Sequence, residues 1–251
     1  MRVDGVKLSS PVNEYTFPEK GEHTIFYKLK ITNSFTMVGM FEGLKKMTSV
    51  SFTKLFELKN NRKMDRMFYN CQKLASIDFS NINTDNLVSM NYMFYQCLSI
   101  TSIDLSKINT SLVEDISNMF TNCISLKNIN FNNFKTNKVE DMSYLFKGCS
   151  SLASIDLSSF NTDNVKDVTE MFYGCTSLTS IDISKFNLPK VDTLNFMFKD
   201  CSNLQYINMP LLNNKLFGTF DGMPSSGTIV TNNNLKDEIS KALQGWTINL
   251  E

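Results

Sequence analysis

The chain of 251 residues contains very little histidine and little glycine, which removes most kinds of catalytic site. Its one histidine is His23, so a cysteine or serine nucleophile has almost no choice of imidazole base. The ten glycines form no phosphate-binding loop, and neither a Ser-His-Asp set nor paired catalytic carboxylates stand out. We therefore expect a protein that is not an enzyme and that uses no cofactor.

Net charge and long apolar runs are also lacking. Lysine plus arginine number 25 and aspartate plus glutamate number 25, so no excess charge favours a nucleic acid or an anionic membrane surface as partner. No apolar run approaches the 18 residues that a membrane span needs, so no transmembrane segment is expected. The N-terminal residues lack the apolar core of a signal peptide, which leaves a cytosolic protein or a piece of a longer exported chain.

Six cysteines are present, and their spacing reveals an internal repeat. One occurs every 26 residues, at Cys71, Cys97, Cys123, Cys149, Cys175 and Cys201. A fixed period of this length predicts stacked units that together bury a continuous core. Hydrophobic residues make up 42% of the chain, which is enough to supply such a core.

The first half of each repeat has the pattern of a leucine-rich repeat strand. In the fourth cysteine-marked repeat the apolar residues follow L-x-x-I-x-L-x-x-F, and a short strand is predicted at 154–157. Because a strand alternates faces, Ile155 and Leu157 should point inward and Ser154 and Asp156 outward.

The second half of each repeat has helical spacing. Val165, Val168, Met171 and Phe172 recur at i, i+3, i+6 and i+7, which predicts one face of a helix of about ten residues. Threonines stand where the helix N-cap is expected, at Thr84, Thr110, Thr136 and Thr162. Residues that tolerate the left-handed conformation of a helix end precede four of the cysteines, at Asn70, Asn122, Gly148 and Gly174.

Both ends of the chain depart from the repeat. Residues 1–34 contain short β-like segments separated by turns, which predicts an N-terminal β cap or small β domain. Residues 35–209 should form the solenoid, beginning with a degenerate coil, and residues 210–251 should form a C-terminal cap. In that cap we expect a strand at 228–231 and another at 246–250.

A helix is expected between those two strands, at 235–243. Trp246, the only tryptophan, should seal the end of the core.

The repeat resembles the BspA-like leucine-rich repeat family of surface proteins, in the 26-residue variant noted as a mycoplasma-type surface domain of unknown function. The signature S-L-x-S-I-D-L-S-x-F-N-T-x-x-V-x-x-M-x-x-M-F-x-G-C is nearly intact from Ser151 to Cys175 and holds with substitutions from Met64 to Met209. This resemblance implies an α/β solenoid with a parallel β-sheet on one face, short helices on the other, and a cap at each end. It also implies a bacterial or protist protein, at the cell surface or secreted, that adheres to host proteins or to other cells.

The cysteine column admits three interpretations. Stacked coils place neighbouring cysteines at about the 4.7–4.9 Å spacing of strands, whereas a disulfide needs Cβ atoms about 3.8 Å apart. A ladder of buried thiols, disulfides between some adjacent coils, and a metal site remain open, although zinc sites use close pairs such as C-x-x-C and none occurs. The methionine and phenylalanine columns are expected to form core rather than a cofactor groove.

Two polar columns on the outer face of the strands are the candidate site. The first column consists of Ser76, Ser102, Asn128, Ser154, Ser180 and Tyr206. The second consists of Asp78, Asp104, Asn130, Asp156, Asp182 and Asn208. These twelve residues could form a solvated surface, a partner-binding surface of the kind that solenoids present, or a calcium site, which wants six to eight oxygen ligands.

We therefore expect a non-enzymatic, surface or secreted, binding or adhesion module. It would recognise a host or neighbouring-cell surface protein, or a glycan, through the solenoid surface. The alternative is a structural spacer or stalk within a larger exported protein, with no ligand of its own.

Overall fold

The computed structural model forms two compact units, Met1–Phe35 and Thr36–Glu251. The residues that the structure describes are 2–3, 6–7, 25–26, 37–52, 56–57, 62–210, 215–232 and 236–250. In the first unit, β1 (Arg2–Val3) pairs antiparallel with β2 (Val6–Lys7) and with β3 (Ile25–Phe26). Residues 8–24 of the predicted N-terminal β cap lie outside the described residues.

The second unit is a parallel β-solenoid of about six turns, which the six cysteines mark. Its elements are β4 (Ser49–Ser51), β5 (Phe56–Glu57), β6 (Ser76–Asp78), β7 (Ile82–Asn83), β8 (Ser102–Asp104), β9 (Asn128–Asn130), β10 (Ser180–Asp182), β11 (Tyr206–Asn208), β12 (Thr228–Thr231), α1 (Lys236–Ala242) and β13 (Thr247–Leu250). Every strand pair in this unit is parallel: β4 with β6, β5 with β7, β8 with β9, and β10 to β13 in sequence. In the pair β8–β9, Ser102 lies opposite Asn128, so the register repeats the 26-residue period.

The strand predicted at 154–157 is not formed. This segment lies between β9 and β10 in the chain and pairs with neither as a regular strand. Its alternation of faces is nevertheless as expected, because Leu157 is buried while Ser154 and Asp156 are exposed.

A ladder of stacked aromatic rings runs along the core. Neighbouring ring centroids lie between 5.4 and 6.3 Å apart, with planes within 18° of parallel, along Phe41, Phe68, Phe94, Phe120, Phe146, Phe172, Phe198 and Phe220. Burying one such side chain contributes roughly 2–3 kcal/mol, and stacking adds about 0.5–1.5 kcal/mol per pair. The phenylalanine column is therefore core, as the sequence predicts.

The prediction of helices on the opposite face is wrong, because this face is built from consecutive β-turns. The N–H of Met67 donates to the carbonyl of Met64 (3.2 Å), and the N–H of Cys71 to the carbonyl of Phe68 (3.1 Å). These are i to i−3 bonds rather than the i to i−4 bonds of an α-helix. The N–H groups between these positions donate to the neighbouring coil instead. The N–H of Phe68, for example, donates to the carbonyl of Met93 one coil on (2.9 Å).

Backbone dihedrals give the physical reason. Arg66 and Asn70 have φ of 55° and 59°, and the equivalent pair of positions is left-handed in every coil. An α-helix needs φ near −63° at each residue, so a left-handed residue every fourth position excludes it. Two successive four-residue turns bring the apolar residues back to one side at the same spacing as a helix face.

The residues before the cysteines are left-handed as predicted, but they close turns instead of ending helices. Gly148 and Gly174 both have φ of 71°, and Asn122 has φ of 59°. Among the described residues one α-helix is present, α1, in the connection between β12 and β13, where the sequence predicts one.

The threonine column does not cap helices either. The hydroxyl of Thr110 accepts the N–H of Lys135 (2.6 Å) and donates to the carbonyl of the same residue (2.9 Å). Thr136 and Thr162 make the same pair of bonds to Asn161 and Asn187. Each of these buried hydroxyls therefore clamps its coil to the backbone of the next one.

Beyond Pro210 the coils become shorter but the stacking continues. The register between β11 and β12 advances 22 residues, from Tyr206 to Thr228, and Phe196 donates its N–H to the carbonyl of Phe217 (2.9 Å). Strands are present at both predicted places, β12 and β13. Trp246 is buried, and its indole N–H donates to the carbonyl of Pro224 (2.9 Å).

Candidate functional surfaces

The twelve predicted site residues lie on the outer side of the strand segments, which we call the strand face. Ten of them are exposed, and Asn130 and Asn208 are half-buried. The isoleucines between the two columns point inward, as shown by Ile103 and Ile181, which are 6% and 2% exposed. The structure therefore brings these twelve positions together on one surface.

The aspartates of the second column have a structural task at the end of each strand. Asp104 Oδ1 accepts the N–H of Ser106 (2.9 Å), two residues on. Asp78, Asp156 and Asp182 make the same bond at 2.9 Å. Hydrogen bonds from the backbone N–H and then the hydroxyl of Ser106 lower the pKa of Asp104, so that the carboxylate is ionised at neutral pH.

Asn130 stands between Asp104 and Asp156 in this column and separates their carboxylates. Asn130 closes its own turn by accepting the N–H of Asn132 (3.0 Å). Its amide also donates to Asp104 Oδ1 (3.0 Å). Since like charges opposite one another on adjacent strands are unfavourable, the amide replaces a repulsion by a hydrogen bond.

The first column has no comparable task. Within the part of the chain that the structure describes, no side-chain hydrogen bond joins Ser76, Ser102, Asn128, Ser154, Ser180 or Tyr206 to another residue. Tyr206 is also 40% exposed, which is high for a large aromatic side chain. These groups remain available for bonds to a ligand.

The cysteines form the ladder of buried thiols. All six are free and buried. Each Sγ donates to the carbonyl of a phenylalanine in the preceding coil, as Cys123 does to Phe94 (3.1 Å) and Cys201 to Phe172 (3.0 Å). Burial raises the pKa of Cys71 to about 11 and that of Cys123 to about 12, so the reactive thiolate is suppressed.

A second row of carboxylates was missed at the sequence level. Asp115, Asp141 and Asp167 form consecutive parallel bridges, one coil apart. Asp141 Oδ1 accepts the N–H (2.8 Å) and the hydroxyl (2.6 Å) of Ser143. Burial, with smaller contributions from the two neighbouring aspartates, raises the pKa of Asp141.

A third surface was also missed, and we call it the turn-face strip. It consists of Glu42, Arg66, Tyr69, Tyr92, Tyr95, Asn118, Tyr144, Lys147, Glu170, Tyr173, Phe196 and Lys199. Tyr69 and Tyr95 stack with centroids 4.7 Å apart, and Lys147 lies 4.9 Å from the ring of Tyr173. The signal was present as columns of tyrosine beside the recurring Met-Phe pairs, since residues three apart such as Tyr92 and Tyr95 share a face in a helix as well as in paired turns.

The described residues contain neither a cluster that could bind a metal ion nor a helix that could span a membrane. No group of three or more His, Cys, Asp or Glu side chains there could hold a metal ion. None of the described helices has the length and apolar character needed to cross a bilayer. His23 lies outside the described residues.

The fold and its surfaces define this chain as a repeat protein. It is a parallel β-solenoid with β-turns within each coil, and hydrogen bonds from threonine hydroxyls and cysteine thiols connect neighbouring coils. The family described as "Mycoplasma protein of unknown function, DUF285" matches residues 35–147 and 123–213. Since these matches together span residues 35–213 of 251, the chain belongs to that family. No curated protein matches the sequence.

Proposed function

We propose that this protein is a non-enzymatic binding or adhesion module, at the cell surface or secreted, of the BspA-like leucine-rich repeat type. Its partner is a host or neighbouring-cell surface protein, or a glycan, and contact is made through the strand face. The support comes from the surface geometry, from membership of a repeat family, and from the resemblance of the 26-residue signature.

The observation that carries the proposal is the row of unengaged polar side chains on the strand face. Neighbouring members lie one coil apart, at about 4.8 Å. Parallel pairing fixes the backbone of five of the six, for example Ser180 opposite Tyr206, whereas Ser154 lies in the segment that forms no regular strand. A rigid row of this kind loses little conformational entropy on binding, and solenoids present extended surfaces that suit such contacts.

Ionised carboxylates flank this row. Asp156 and Asp182 are exposed, and hydrogen bonds from Ser158 and Ser184 lower the pKa of each. We expect the partner to place basic groups against them, because complementary charge raises the association rate and sets the register.

Replacing Asp104, Asp156 and Asp182 together by asparagine tests the proposal. Asparagine keeps the oxygen that accepts the backbone N–H at each strand end, so the fold should persist while three charges are lost. Binding of the labelled protein to cultured host cells should fall about tenfold or more, with an unchanged melting temperature.

A matched control removes three exposed carboxylates elsewhere, by Asp85→Asn, Asp163→Asn and Asp192→Asn. This variant should bind cells like the wild type. Equal loss in both triple variants would show a non-specific charge effect. No loss in the strand-face variant would move the contact away from this surface.

The alternative function is a structural spacer or stalk of a larger exported protein. It is favoured if the wild-type chain binds no cell type and the full-length gene encodes a separate binding domain. The regular inter-coil bonding through Thr110, Thr136 and Thr162 would suit such a mechanical role.

A further inference from the structure

Several residues of the turn-face strip have a strained backbone conformation. Tyr92, Tyr144, Glu170 and Phe196 all have φ between 52° and 58°. At the same position in another coil stands Asn118, a type that adopts this conformation readily. Bulky residues in the left-handed region are strained, and such strain concentrates where a surface has a function.

Contacts within the chain hold these side chains in place. The ring centroids of Tyr92 and Tyr95 lie 5.6 Å apart, and Lys147 Nζ lies 5.2 Å from the centroid of the Tyr144 ring. The ion pair from Lys147 to Glu170 spans 2.5 Å. Tyrosine and arginine are enriched where proteins meet, and fixed side chains lose less entropy on binding.

The seven coils from Glu42 to Lys199 carry charges and rings that are self-complementary about the fourth coil. Coil by coil the strip reads Glu42; Arg66 and Tyr69; Tyr92 and Tyr95; Asn118; Tyr144 and Lys147; Glu170 and Tyr173; Phe196 and Lys199. Asn118 alone represents the central coil, because Thr121 is buried there and donates its hydroxyl to the carbonyl of Tyr144 (2.7 Å).

An end-for-end rotation about that central coil places opposite charges against one another. Glu42 then faces Lys199 of a second copy, and Arg66 faces Glu170. Tyrosines oppose tyrosines or Lys147 in the remaining coils. Within one chain Arg66 already pairs with Glu42 at 2.6 Å and Lys147 with Glu170 at 2.5 Å. The contact would join these two ion pairs and Lys199 into a network of five charges.

We propose that the turn-face strip is a two-fold interface with a second copy of this chain, aligned antiparallel with its axis at the coil of Asn118. An interface in which the same patch meets itself is the common form of a protein dimer. Six coil steps of about 4.8 Å make the strip about 30 Å long. So narrow a surface is at the small end of specific interfaces, which predicts a dissociation constant of about 10 μM to 1 mM. This inference does not depend on the strand face.

The test is sedimentation equilibrium of the full chain from about 10 μM to 1 mM. Glu42→Lys alone and Lys199→Glu alone should each weaken association about tenfold, because like charges then meet twice in each homodimer. An equimolar mixture of the two variants should restore the wild-type affinity, because both contacts in the mixed dimer are then of opposite charge.

A matched control exchanges an exposed ion pair outside the strip. Glu140 and Lys166 lie 2.6 Å apart, and Glu140→Lys, Lys166→Glu and their mixture should leave association unchanged. A wild-type chain that stays monomeric at about 1 mM overturns the proposal. So does a mixture of the strip variants that associates no better than either component.

Tyr144→Asn separates a contact role from a structural one. Asparagine occupies the equivalent position in the central coil, so the variant should melt at or above the wild-type temperature while losing self-association. A clear fall in melting temperature would show that the ring serves the fold and would contradict the inference. The strand-face triple variant should dimerise normally, which keeps this result distinct from that of the cell-binding experiment.

Discussion

At the scale of single residues, left-handed positions govern both the shape of each coil and its tolerance of substitution. Glycine adopts this conformation without strain, whereas a side chain there costs about 1–2 kcal/mol. Position 96 is glutamine with φ of 57°, while the equivalents Gly148 and Gly174 are glycine. The coils therefore differ in local stability although they share one backbone.

Exchanging residues at these equivalent positions should change stability in opposite directions. Gln96→Gly should raise the free energy of unfolding by about 0.5–1 kcal/mol, since relief of strain exceeds the added entropy of the unfolded chain. Gly148→Ala should lower it by about 1–3 kcal/mol, because its φ is 71° and an added Cβ would clash with the side chain of Asn122. Urea unfolding measures both, and shifts of the same sign would contradict the assignment.

Asp141 is a second residue whose setting predicts a measurable effect. Its folded-state pKa is raised, so the protonated form is favoured in the fold. The stabilisation is present at acidic pH and is lost as pH rises through the folded pKa. Asp141→Asn keeps the acceptor for Ser143 and should stabilise the protein by about 0.5–1 kcal/mol at pH 7.

That advantage should shrink near pH 4, where the wild-type carboxyl also becomes protonated. Denaturation curves at the two pH values give the comparison. Exposed Asp192→Asn serves as the control and should show little effect at either pH. Destabilisation by Asp141→Asn at pH 7 would show that the charge supports the fold.

At the scale of elements, rows of hydrogen-bonding side chains hold neighbouring coils together, a role that helices have in other solenoids. Threonine hydroxyls and cysteine thiols each bond to the backbone of a neighbouring coil, as Thr136 does to Asn161 and Cys149 to Phe120. The turns supply few bonds of their own because alternate N–H groups point to the next coil. Stability of one coil therefore depends on its neighbours.

Thr136→Val should test this dependence on a single ladder. Valine has a similar shape, but it leaves the N–H and the carbonyl of Asn161 without the hydroxyl that pairs with both. We expect a loss of about 2–4 kcal/mol in the free energy of unfolding. Thr136→Ser retains the hydroxyl and should recover most of it, whereas equal losses would point to packing of the methyl group.

At the scale of the whole molecule, the solenoid is a linear array whose ends have one neighbouring coil fewer to support them. Local opening should therefore begin at the ends and reach the middle last. The cysteines report on this directly because one buried thiol lies in each turn.

Thiol labelling followed by mass spectrometry should show an order along the chain. In mild denaturant, Cys71 and Cys201 should react before Cys123 and Cys149, and no cysteine should react quickly in buffer alone, because all are buried. Simultaneous labelling of all six would show that the array opens in one cooperative step. Full denaturation supplies the control for intrinsic reactivity.

The period, the inward and outward strand columns, the phenylalanine core and the left-handed residues before the cysteines could all be predicted from the amino-acid sequence. These follow from local chemistry and from exact repetition, so one chain is enough to reveal them. The sequence could not distinguish a helix from paired turns, because both return side chains at Met64, Met67 and Phe68 to one face.

The partners of the N–H groups, hydroxyls and surface rings follow from the stacking of coils and could not be predicted from the sequence. Those partners lie about 26 residues away, as with Tyr69 and Tyr95, and sequence spacing within a coil says nothing about them. The same holds for the shorter C-terminal coils, whose stacking is visible through Phe198 and Phe220 although their length departs from the repeat. Stacking, rather than local propensity, sets the turns and gathers the turn-face strip.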